Sequence, residues 1–326
     1  GLSSLQEKAI SVEEIEFVDT LAASLAISLQ NIRYIKDVEE GLPEVDLFIG
    51  TGEYHKIVQY LKAFEDGKLK QKSFVEIPKF IHTEFDPRIN TGPFYTAWLK
   101  ASEGCNRNCT FCIIPNIRGR LRSRSVASLV TEASRLADTG VKELNIISQD
   151  LSSYGIDLTG NTLLNLLDEL EKIPGIEWIR VFYYYPDELS DEVIRKFANS
   201  KKICPYIDMP VQHFSDNILK KMNRKITGEQ ILNRVAKLRE LIPNIFIRTS
   251  IIVGFPSETK EDFATLLAGV QHAKFNHLGI FRYSDEDGTP AYKIQPKVPS
   301  KLIEERFDQL FETQKRFQFL LGTYFI

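Results

Sequence analysis

The stretch YTAWLKASEGCNRNCTFC, residues 95–112, begins as an apolar strand and ends as a loop that carries three cysteines. It opens the regular part of the chain, in which five more strand-like segments follow, separated by helical patterns of about 10–15 residues. Apolar strands that alternate with helices are typical of parallel strands buried on both faces. Right-handed crossovers curl such a sheet into a full or partial β/α barrel. The sequence therefore predicts an α/β fold built on a partial, six-stranded barrel.

The boundaries of these elements are predicted where the hydrophobic pattern changes its period. The predicted strands are Tyr95–Ala101, Glu143–Ser148, Trp178–Tyr184, Tyr206–Met209, Ile245–Val253 and Leu278–Tyr283. The predicted helices are Val126–Thr139, Leu163–Lys172, Asp187–Ala198, Gly228–Leu241, Lys260–Ala273 and Ser300–Leu321. On β/α barrels the chemistry is carried by the loops that follow the carboxyl ends of the strands, so we searched these loops for site residues.

Four regions are predicted along the chain. Residues 1–75 read as part of an α/β domain, with a helix over Ser11–Leu29, and residues 76–94 read as a charged linker without a long period. Residues 95–300 hold the barrel, and residues 301–326 form a C-terminal helix. Because the chain starts at a glycine and ends on an apolar run, we expect a fragment with both ends cut.

Composition excludes several classes of protein. The 326 residues are 43% hydrophobic and 26% charged, which is ordinary for a globular protein and unlike a disordered or fibrous chain. A net charge of −3 provides no overall basic field for nucleic acid. No apolar run reaches the ~20 residues of a membrane helix and no signal peptide is visible, so we expect a cytoplasmic protein without a membrane partner.

The four cysteines are distributed unevenly. Cys105, Cys109 and Cys112 follow a C-x3-C-x2-C spacing, whereas Cys204 stands alone and is predicted to be a buried bystander. Three thiolates on one loop can hold a 4Fe–4S cluster, which usually takes four ligands, so one iron would stay open for a small molecule. The alternatives are a structural zinc site, which normally needs four ligands, and three unligated thiols.

The cysteine motif, with Phe111 just before its third cysteine, resembles the signature of the radical S-adenosylmethionine (SAM) superfamily. Further segments are similar to its methylthiotransferase branch: Ser102–Asn106, Cys112–Pro115, Arg118-Gly119 and Ser123-Arg124. Others resemble the subgroup that modifies a ribosomal protein: Ser148–Asp150, Tyr154–Leu158, Tyr183–Asp187, Met209–His213 and Gly288–Tyr292. The resemblance extends from about residue 43 to residue 320.

This resemblance implies a fold, cofactors and a reaction. The barrel would be a radical SAM barrel, preceded by the remnant of the N-terminal methylthiotransferase domain and followed in the family by a small TRAM domain. The open iron would bind the methionine part of SAM, and an electron from a flavodoxin- or ferredoxin-type donor would cleave SAM to a radical. The family also holds a second 4Fe–4S cluster, but no cysteine precedes Cys105 here. The implied reaction is methylthiolation at the β-carbon of an aspartate in protein twelve of the small ribosomal subunit, by a monomer.

Six residues besides the cysteines are predicted to contact SAM. The backbone around Phe111 would lie near the adenine. Gly254 would also lie there, since a glycine allows close approach, and the alternative for Gly254 is a plain strand-to-helix turn. In related enzymes, residues at the positions of Gln149 and Asp150 contact the amino group of SAM. Gln212 follows the fourth strand at a position suited to the ribose. Arg248 lies within a buried strand, where either the SAM carboxylate or a salt bridge would satisfy its charge.

Several neighbouring residues have more than one possible interpretation. His213 is a ligand contact, a satisfied core histidine or a helix cap, and Tyr183-Tyr184-Tyr185 is assigned to core packing and a strand end. The run Arg118, Arg120, Arg122 and Arg124 is either a solvated loop or a surface for acidic groups of a ribosomal substrate. Glu258 and Thr259 are predicted to cap the helix that follows them.

Alternative functions remain at this point. The same chemistry on a transfer-RNA adenosine is one, although Asp150 and His213 differ from the residues more often found in that subgroup. A zinc-stabilised module without catalytic activity is another, and it belongs to a different class of protein. A SAM-cleaving enzyme with an unrelated substrate is a third.

Overall fold

The computed structural model describes residues 37–321, with side chains up to residue 316, so the predicted helix Ser11–Leu29 lies outside the described part. The chain divides into two compact units. One consists of Gly1–Phe80 with Asn116–Arg118, and the other of Ile81–Pro115 with Gly119–Ile326. Among the described residues, none of the helices combines the length and the apolar character that crossing a bilayer requires.

The smaller unit contains a parallel strand pair joined by a helical crossover. Strands Phe48–Ile49 and Ser73–Phe74 pair in parallel, with Phe48 opposite Ser73. The chain between them forms the 3-10 turn Tyr54–Lys56 and the helix Ile57–Glu65. This arrangement is an α/β unit of the kind that needs a crossover because its strands are parallel.

The larger unit is a six-stranded β/α barrel. Its strands are β1 (Thr96–Lys100), β2 (Glu143–Ile147), β3 (Trp178–Val181), β4 (Tyr206–Asp208), β5 (Phe246–Val253) and β6 (His277–Arg282). Its helices are α1 (Val126–Asp138), α2 (Leu163–Glu171), α3 (Asp191–Asn199), α4 (Gly228–Leu241), α5 (Lys260–Ala273) and α6 (Ser300–Leu321). The predicted α/β class with a partial barrel is confirmed.

All strand pairings within the barrel are parallel and follow the order of the chain. Strands β1, β2 and β3 form one ladder, and β4, β5 and β6 form a second. A single parallel bridge between Ile179 and Ile203 connects the two ladders. Because every strand runs the same way, the loops after all six strands meet at one edge.

Shorter elements lie in the connections between these strands and helices. They are the antiparallel pair Ser102–Glu103 and Arg122–Ser123, the helices Ile114–Arg118 and Asp216–Lys221, and the 3-10 turns Leu151–Ser153, Pro186–Glu188 and Pro290–Lys293.

Two predicted boundaries in the barrel differ from the structure by more than one residue, for local physical reasons. The third strand ends at Val181 rather than Tyr184, because Tyr183 adopts a left-handed backbone with a φ of 57° that no strand tolerates. Helix α3 begins at Asp191 rather than Asp187, because the Ser190 side chain accepts a hydrogen bond from the Val193 amide and so acts as the N-cap.

Strand β5 shows which side chains pack against the helices and which face the inside of the barrel. Alternate residues of the strand, beginning with Ile247 and ending with Val253, are fully buried, as expected for the face that packs against helices. Between them, Arg248, Ser250 and Ile252 are half-buried and lie on the opposite face. Since side chains alternate along a strand, polar residues at even positions face the barrel interior without disturbing the core.

Helix α6 is attached to the barrel through a buried ion pair. The Arg306 Nη1 atom lies 2.8 Å from Glu258 Oε1, and both side chains are almost completely buried. The other Glu258 oxygen accepts hydrogen bonds from the amides of Gly254 (2.7 Å) and Phe255 (3.2 Å). Glu258 therefore fixes the turn before it, while Thr259 alone is the N-cap of α5. The prediction that Glu258 also caps this helix was wrong.

We expect Arg306→Met to lower the free energy of unfolding by about 3–5 kcal/mol, because it leaves the buried Glu258 carboxylate without its cation. The matched control on the same helix is Lys315→Met, whose partner Glu312 is exposed, and which should cost at most ~1 kcal/mol. Chemical denaturation of both variants measures the difference. Equal losses would contradict the anchoring role of the Arg306 pair.

Candidate functional site

The cysteine loop begins at a glycine that leaves no room for a side chain. Gly104 has a φ of +76°, and a Cβ there would lie 2.2 Å from the carbonyl oxygen of Arg120. Directly after it, the Cys105 amide donates a hydrogen bond to the Gly119 carbonyl (3.1 Å). The close approach of the two segments fixes the direction in which the loop leaves β1, and with it the position of Cys105.

The three thiols of the motif lie in a dry environment. Cys105 and Cys109 are buried and Cys112 is half-buried. Burial raises the pKa of the Cys105 thiol to about 11 and also raises that of Cys112. The described residues contain no group of three His, Cys, Asp or Glu side chains placed to hold one metal ion. A 4Fe–4S cluster differs from a single metal ion, because each of its cysteines binds a separate iron atom at a corner of the cube.

The environment of the sulfur atoms suits thiolates that bind iron. The Arg107 amide donates a hydrogen bond to Cys105 Sγ (3.3 Å). The Tyr185 hydroxyl lies 3.7 Å from Cys109 Sγ, and Arg224 Nη1 lies 3.8 Å from the same atom. Hydrogen bonds to the sulfurs are a regular feature of iron–sulfur sites. The donor set and its surroundings therefore fit a 4Fe–4S cluster.

A segment more than 100 residues away in sequence closes over the cysteine loop. After the helix Asp216–Lys221, the carbonyl groups of Lys221 and Met222 accept hydrogen bonds from the Thr110 hydroxyl (2.7 Å) and the Thr110 amide (3.2 Å). The Asn223 side-chain amide donates to the Asn108 carbonyl (2.9 Å). These bonds hold the loop between the second and third cysteines in one conformation.

Arg107, inside the motif, forms the main electrostatic anchor of the loop. Its guanidinium contacts Asp150 (2.8 Å), Asp187 (2.9 Å) and Glu188 (3.0 Å), which follow β2 and β3. The carboxylate of Asp150 is buried and also accepts hydrogen bonds from the hydroxyls of two serines. Asp150 was predicted to contact SAM, but in the structure its carboxylate is engaged with the cysteine loop.

A cavity of about 300 Å³ opens at the same edge of the barrel. Three of the predicted SAM contacts, Phe111, Gln212 and Arg248, lie in its wall together with Tyr183. Both Tyr183 (φ 57°) and Gln212 (φ 70°) adopt a left-handed backbone without being glycine. Such strained residues occur mainly at functional sites, where the surrounding structure holds them in place.

Arg248 reaches the cavity from the inner face of β5. Its Nη1 atom lies 2.7 Å from Asp208 Oδ2, and Asp208 is fully buried. Burial raises the pKa of Asp208, although the neighbouring guanidinium opposes this shift. The salt bridge considered in the sequence analysis is thus present. The Arg248 side chain remains 31% exposed in the cavity wall, so its remaining nitrogens can still meet a ligand.

Gln149 stands apart from the cavity but keeps an unused acceptor. Its side-chain oxygen is buried, and no hydrogen-bond partner for it lies among the described residues. Buried polar atoms normally have a partner, so this oxygen is suited to a donor group of a bound molecule.

Gly254 and His213 have structural explanations that do not involve a ligand. Gly254 has a φ of +75°, and a Cβ there would lie 2.4 Å from the Ile303 side chain of α6. Packing against Ile303 is thus one reason for a glycine here, while the approach to the adenine stays a prediction. His213 is fully buried, and its Nδ1 atom accepts a hydrogen bond from the Ser215 amide (2.9 Å). Burial lowers the pKa of His213 to about 3, so it is a neutral core histidine.

The basic run after the cysteine loop does not form a single surface. Arg120 is exposed, but Arg124 is buried and pairs with Glu132 of α1. The Arg124 guanidinium also contacts the Ser128 hydroxyl (3.0 Å). Neither interpretation of the run, as a solvated loop or as a docking surface, applies to Arg124.

Three residues at the site were missed by the sequence analysis: Arg107, Tyr185 and Arg224. Arg107 lies within the motif itself, where a charge among cysteines could have marked it. Tyr185 was assigned to core packing, and its ring instead carries the guanidinium groups of Arg107 (4.5 Å) and Arg224 (4.2 Å). No spacing in the sequence connects Arg224 with a cysteine 115 residues before it.

Comparison with known proteins agrees with this geometry. The sequence profile of the Radical SAM superfamily matches residues 99–268, which is more than half of the chain. The chain belongs to the radical SAM superfamily. Among solved structures, the cobalamin-dependent SAM radical enzyme OxsB aligns with a TM-score of 0.54 at 14% identity, over 95% of this chain and 50% of that one. The methyltransferase TsrM from Kitasatospora setae aligns with a TM-score of 0.50 at 19% identity, over 60% of this chain and 38% of that one. These two likenesses concern the fold alone.

Curated relatives narrow the family further. A ribosomal protein uS12 methylthiotransferase RimO from Syntrophotalea carbinolica is 40% identical over 98% of this chain and 71% of its own length. The enzyme of the same name from Geobacter sulfurreducens is 45% identical over 88% of this chain and 64% of its own length. The chain thus belongs to the RimO family, and it spans about two thirds of the length of these relatives.

We expect Gly254→Ala to destabilise the protein through packing rather than through lost SAM binding. A left-handed alanine costs ~1–2 kcal/mol, and overpacking against Ile303 adds ~1–3 kcal/mol. Combining it with Ile303→Ala removes the overpacking, so the double variant should lose less free energy of unfolding than the two single losses added together. Additive losses, together with weaker SAM binding by Gly254→Ala, would favour a ligand contact instead.

Proposed function

We propose that this protein is a radical SAM methylthiotransferase that adds a methylthio group to the β-carbon of an aspartate in ribosomal protein uS12. The observation that carries the proposal is the placement of the three-cysteine loop at the same barrel edge as a cavity lined by Phe111, Gln212 and Arg248. The names of the RimO relatives supply the substrate.

Cys105, Cys109 and Cys112 are proposed to hold one 4Fe–4S cluster with an open iron. A cluster held there would supply the one-electron chemistry that cleaves SAM, and so a radical able to take a hydrogen atom from the substrate. The residues of this chain hold the loop, exclude water from the buried sulfur atoms and provide the cavity for SAM.

Four of the predicted SAM contacts are carried forward as part of the proposal. Phe111, Gln212 and Arg248 line the cavity, and the unpartnered oxygen of Gln149 suits the amino group of SAM. The Arg248 guanidinium, held by Asp208, would receive the SAM carboxylate. Asp150 and Gly254 stay predicted contacts, and each also has a structural role, with Arg107 and Ile303 respectively.

The proposal includes partners and a location. Reduction requires a one-electron donor, for which a flavodoxin or ferredoxin is proposed, and the protein is proposed to act as a monomer in the cytoplasm, where a ribosomal protein is available. The family's second cluster needs three more cysteines, and this sequence contains only Cys204 beyond the motif. By itself the 326-residue chain is therefore expected to cleave SAM without transferring a methylthio group.

Anaerobic reconstitution with iron and sulfide tests the cluster. We expect a brown protein with about four irons per chain that converts SAM to 5′-deoxyadenosine in the presence of dithionite. Replacing Cys105, Cys109 or Cys112 with serine should abolish colour and cleavage, because three thiolates are the minimum set. Cys204→Ser is the matched control and should keep both. A colourless protein with one bound zinc would contradict the proposal.

Deuterium transfer tests the substrate independently of sulfur insertion. With uS12 deuterated at the aspartate β-carbon, we expect deuterium to appear in 5′-deoxyadenosine, because the radical takes its hydrogen atom from that carbon. Mass spectrometry of the nucleoside measures the label, and a uS12 variant with alanine at the aspartate is the control. Label from a deuterated transfer-RNA adenosine but not from uS12 would favour the alternative enzyme.

A further inference from the structure

Arg224 is a buried cation whose strongest neighbours are neutral. The residue is 7% exposed, its Nη2 atom donates to the Pro210 carbonyl (2.7 Å), and its Nη1 atom lies 3.8 Å from Cys109 Sγ. In the part of the chain that the structure describes, no carboxylate lies within ion-pair distance of this guanidinium. An unpaired buried charge is costly, so the position calls for a negative group nearby.

Arg107 provides the contrast within the same site. It also lies over the Tyr185 ring, but its charge is matched by Asp150, Asp187 and Glu188. Of the two guanidinium groups beside the cysteine loop, Arg107 is therefore neutralised by the protein itself. The charge of Arg224 is left to be balanced by the thiolates and by whatever they bind.

Tyr185 connects the two arginines with the sulfur. Its ring packs against the Arg224 guanidinium at 4.2 Å, which keeps that group from turning away, and its hydroxyl lies 3.7 Å from Cys109 Sγ. The Cys109 sulfur thus lies at nearly equal distances from the Arg224 guanidinium and the Tyr185 hydroxyl. Among the described contacts of the other two cysteine sulfurs, no side-chain donor of this kind is present.

We propose that Arg224, oriented by Tyr185, sets the reduction potential of the cluster bound at Cys109. Reduction adds one electron, and so one negative charge, to the cluster and its thiolates, with a one-electron donor such as dithionite as the reductant. A desolvated cation and hydrogen bonds at the sulfur stabilise the more negative state and raise the potential. This inference rests on the proposed function only in requiring that a cluster binds.

The test is to measure the midpoint potential of the cluster in the reconstituted chain. EPR detects the reduced cluster while dithionite and redox mediators set the potential of the solution. We expect Arg224→Gln to lower the equilibrium constant for reduction about tenfold or more, which is ~59 mV for one electron. Arg224→Lys keeps the charge and should shift the potential less. Tyr185→Phe removes only the hydroxyl, and should also lower the potential while leaving the fold intact.

The matched control is Arg180→Gln. Arg180 also lies over a tyrosine, with its guanidinium 4.9 Å from the Tyr206 ring, but it is half-buried and pairs with Glu143, the first residue of β2. It changes the net charge equally and should leave the potential unchanged. If Arg224→Gln does not fold, the midpoint potentials of Tyr185→Phe and Arg224→Lys test the inference instead.

The outcomes separate the two proposals. If no cluster assembles in the unaltered chain, the proposed function fails. If the cluster assembles and cleaves SAM, but the Arg224 and Tyr185 variants have the same potential as Arg180→Gln, this inference fails while the proposed function stands. A lowered potential in the Arg224 and Tyr185 variants alone, with unchanged iron content, supports it.

Discussion

The contact between Arg107 and three carboxylates is the constraint on which the site depends. A cysteine loop of eight residues has no hydrophobic core of its own, so its conformation must come from the elements around it. Arg107 ties the loop to Asp150 after β2 and to Asp187 after β3, and the partly buried setting makes these charge-assisted bonds strong. Parallel strands make this possible, because they bring the ends of β1, β2 and β3 to one edge of the barrel.

The loops at this edge of the barrel both line the cavity and hold the cysteine loop. The loop after β4 carries Gln212 and the inner face of β5 carries Arg248, and both residues belong to the cavity wall. The loops after β2 and β3 carry the acids that hold the cysteine loop. Left-handed backbones at Tyr183 and Gln212 turn the chain sharply at the strand ends, and the barrel framework compensates for this strain.

Sequence patterns predicted the barrel because its signal is local and repeated. Each strand and helix is coded by its own hydrophobic period, and the cysteine spacing lies within eight residues. The roles of Asp150 and Gly254 could not be predicted in this way. The first depends on an arginine 43 residues earlier, and the second on the Ile303 side chain in a helix that packs from outside. Residue type suggested a ligand contact at both positions, while tertiary contacts gave each a structural one.

Arg224 shows the same limit from the other side. The residues next to Arg224 in sequence do not indicate its role. That role depends on its closeness to Cys109 and on the absence of a carboxylate within ion-pair distance among the described residues. The fold places two guanidinium groups against Tyr185 and neutralises only one of them with carboxylates. In a low-dielectric setting a charge acts over a longer distance than in water, so the unmatched charge of Arg224 acts on the Cys109 sulfur beside it. An arrangement in which both arginines were paired would hold the loop equally well but would leave the cysteines without a nearby net positive charge. The asymmetry is therefore a property of the site's chemistry rather than of its stability.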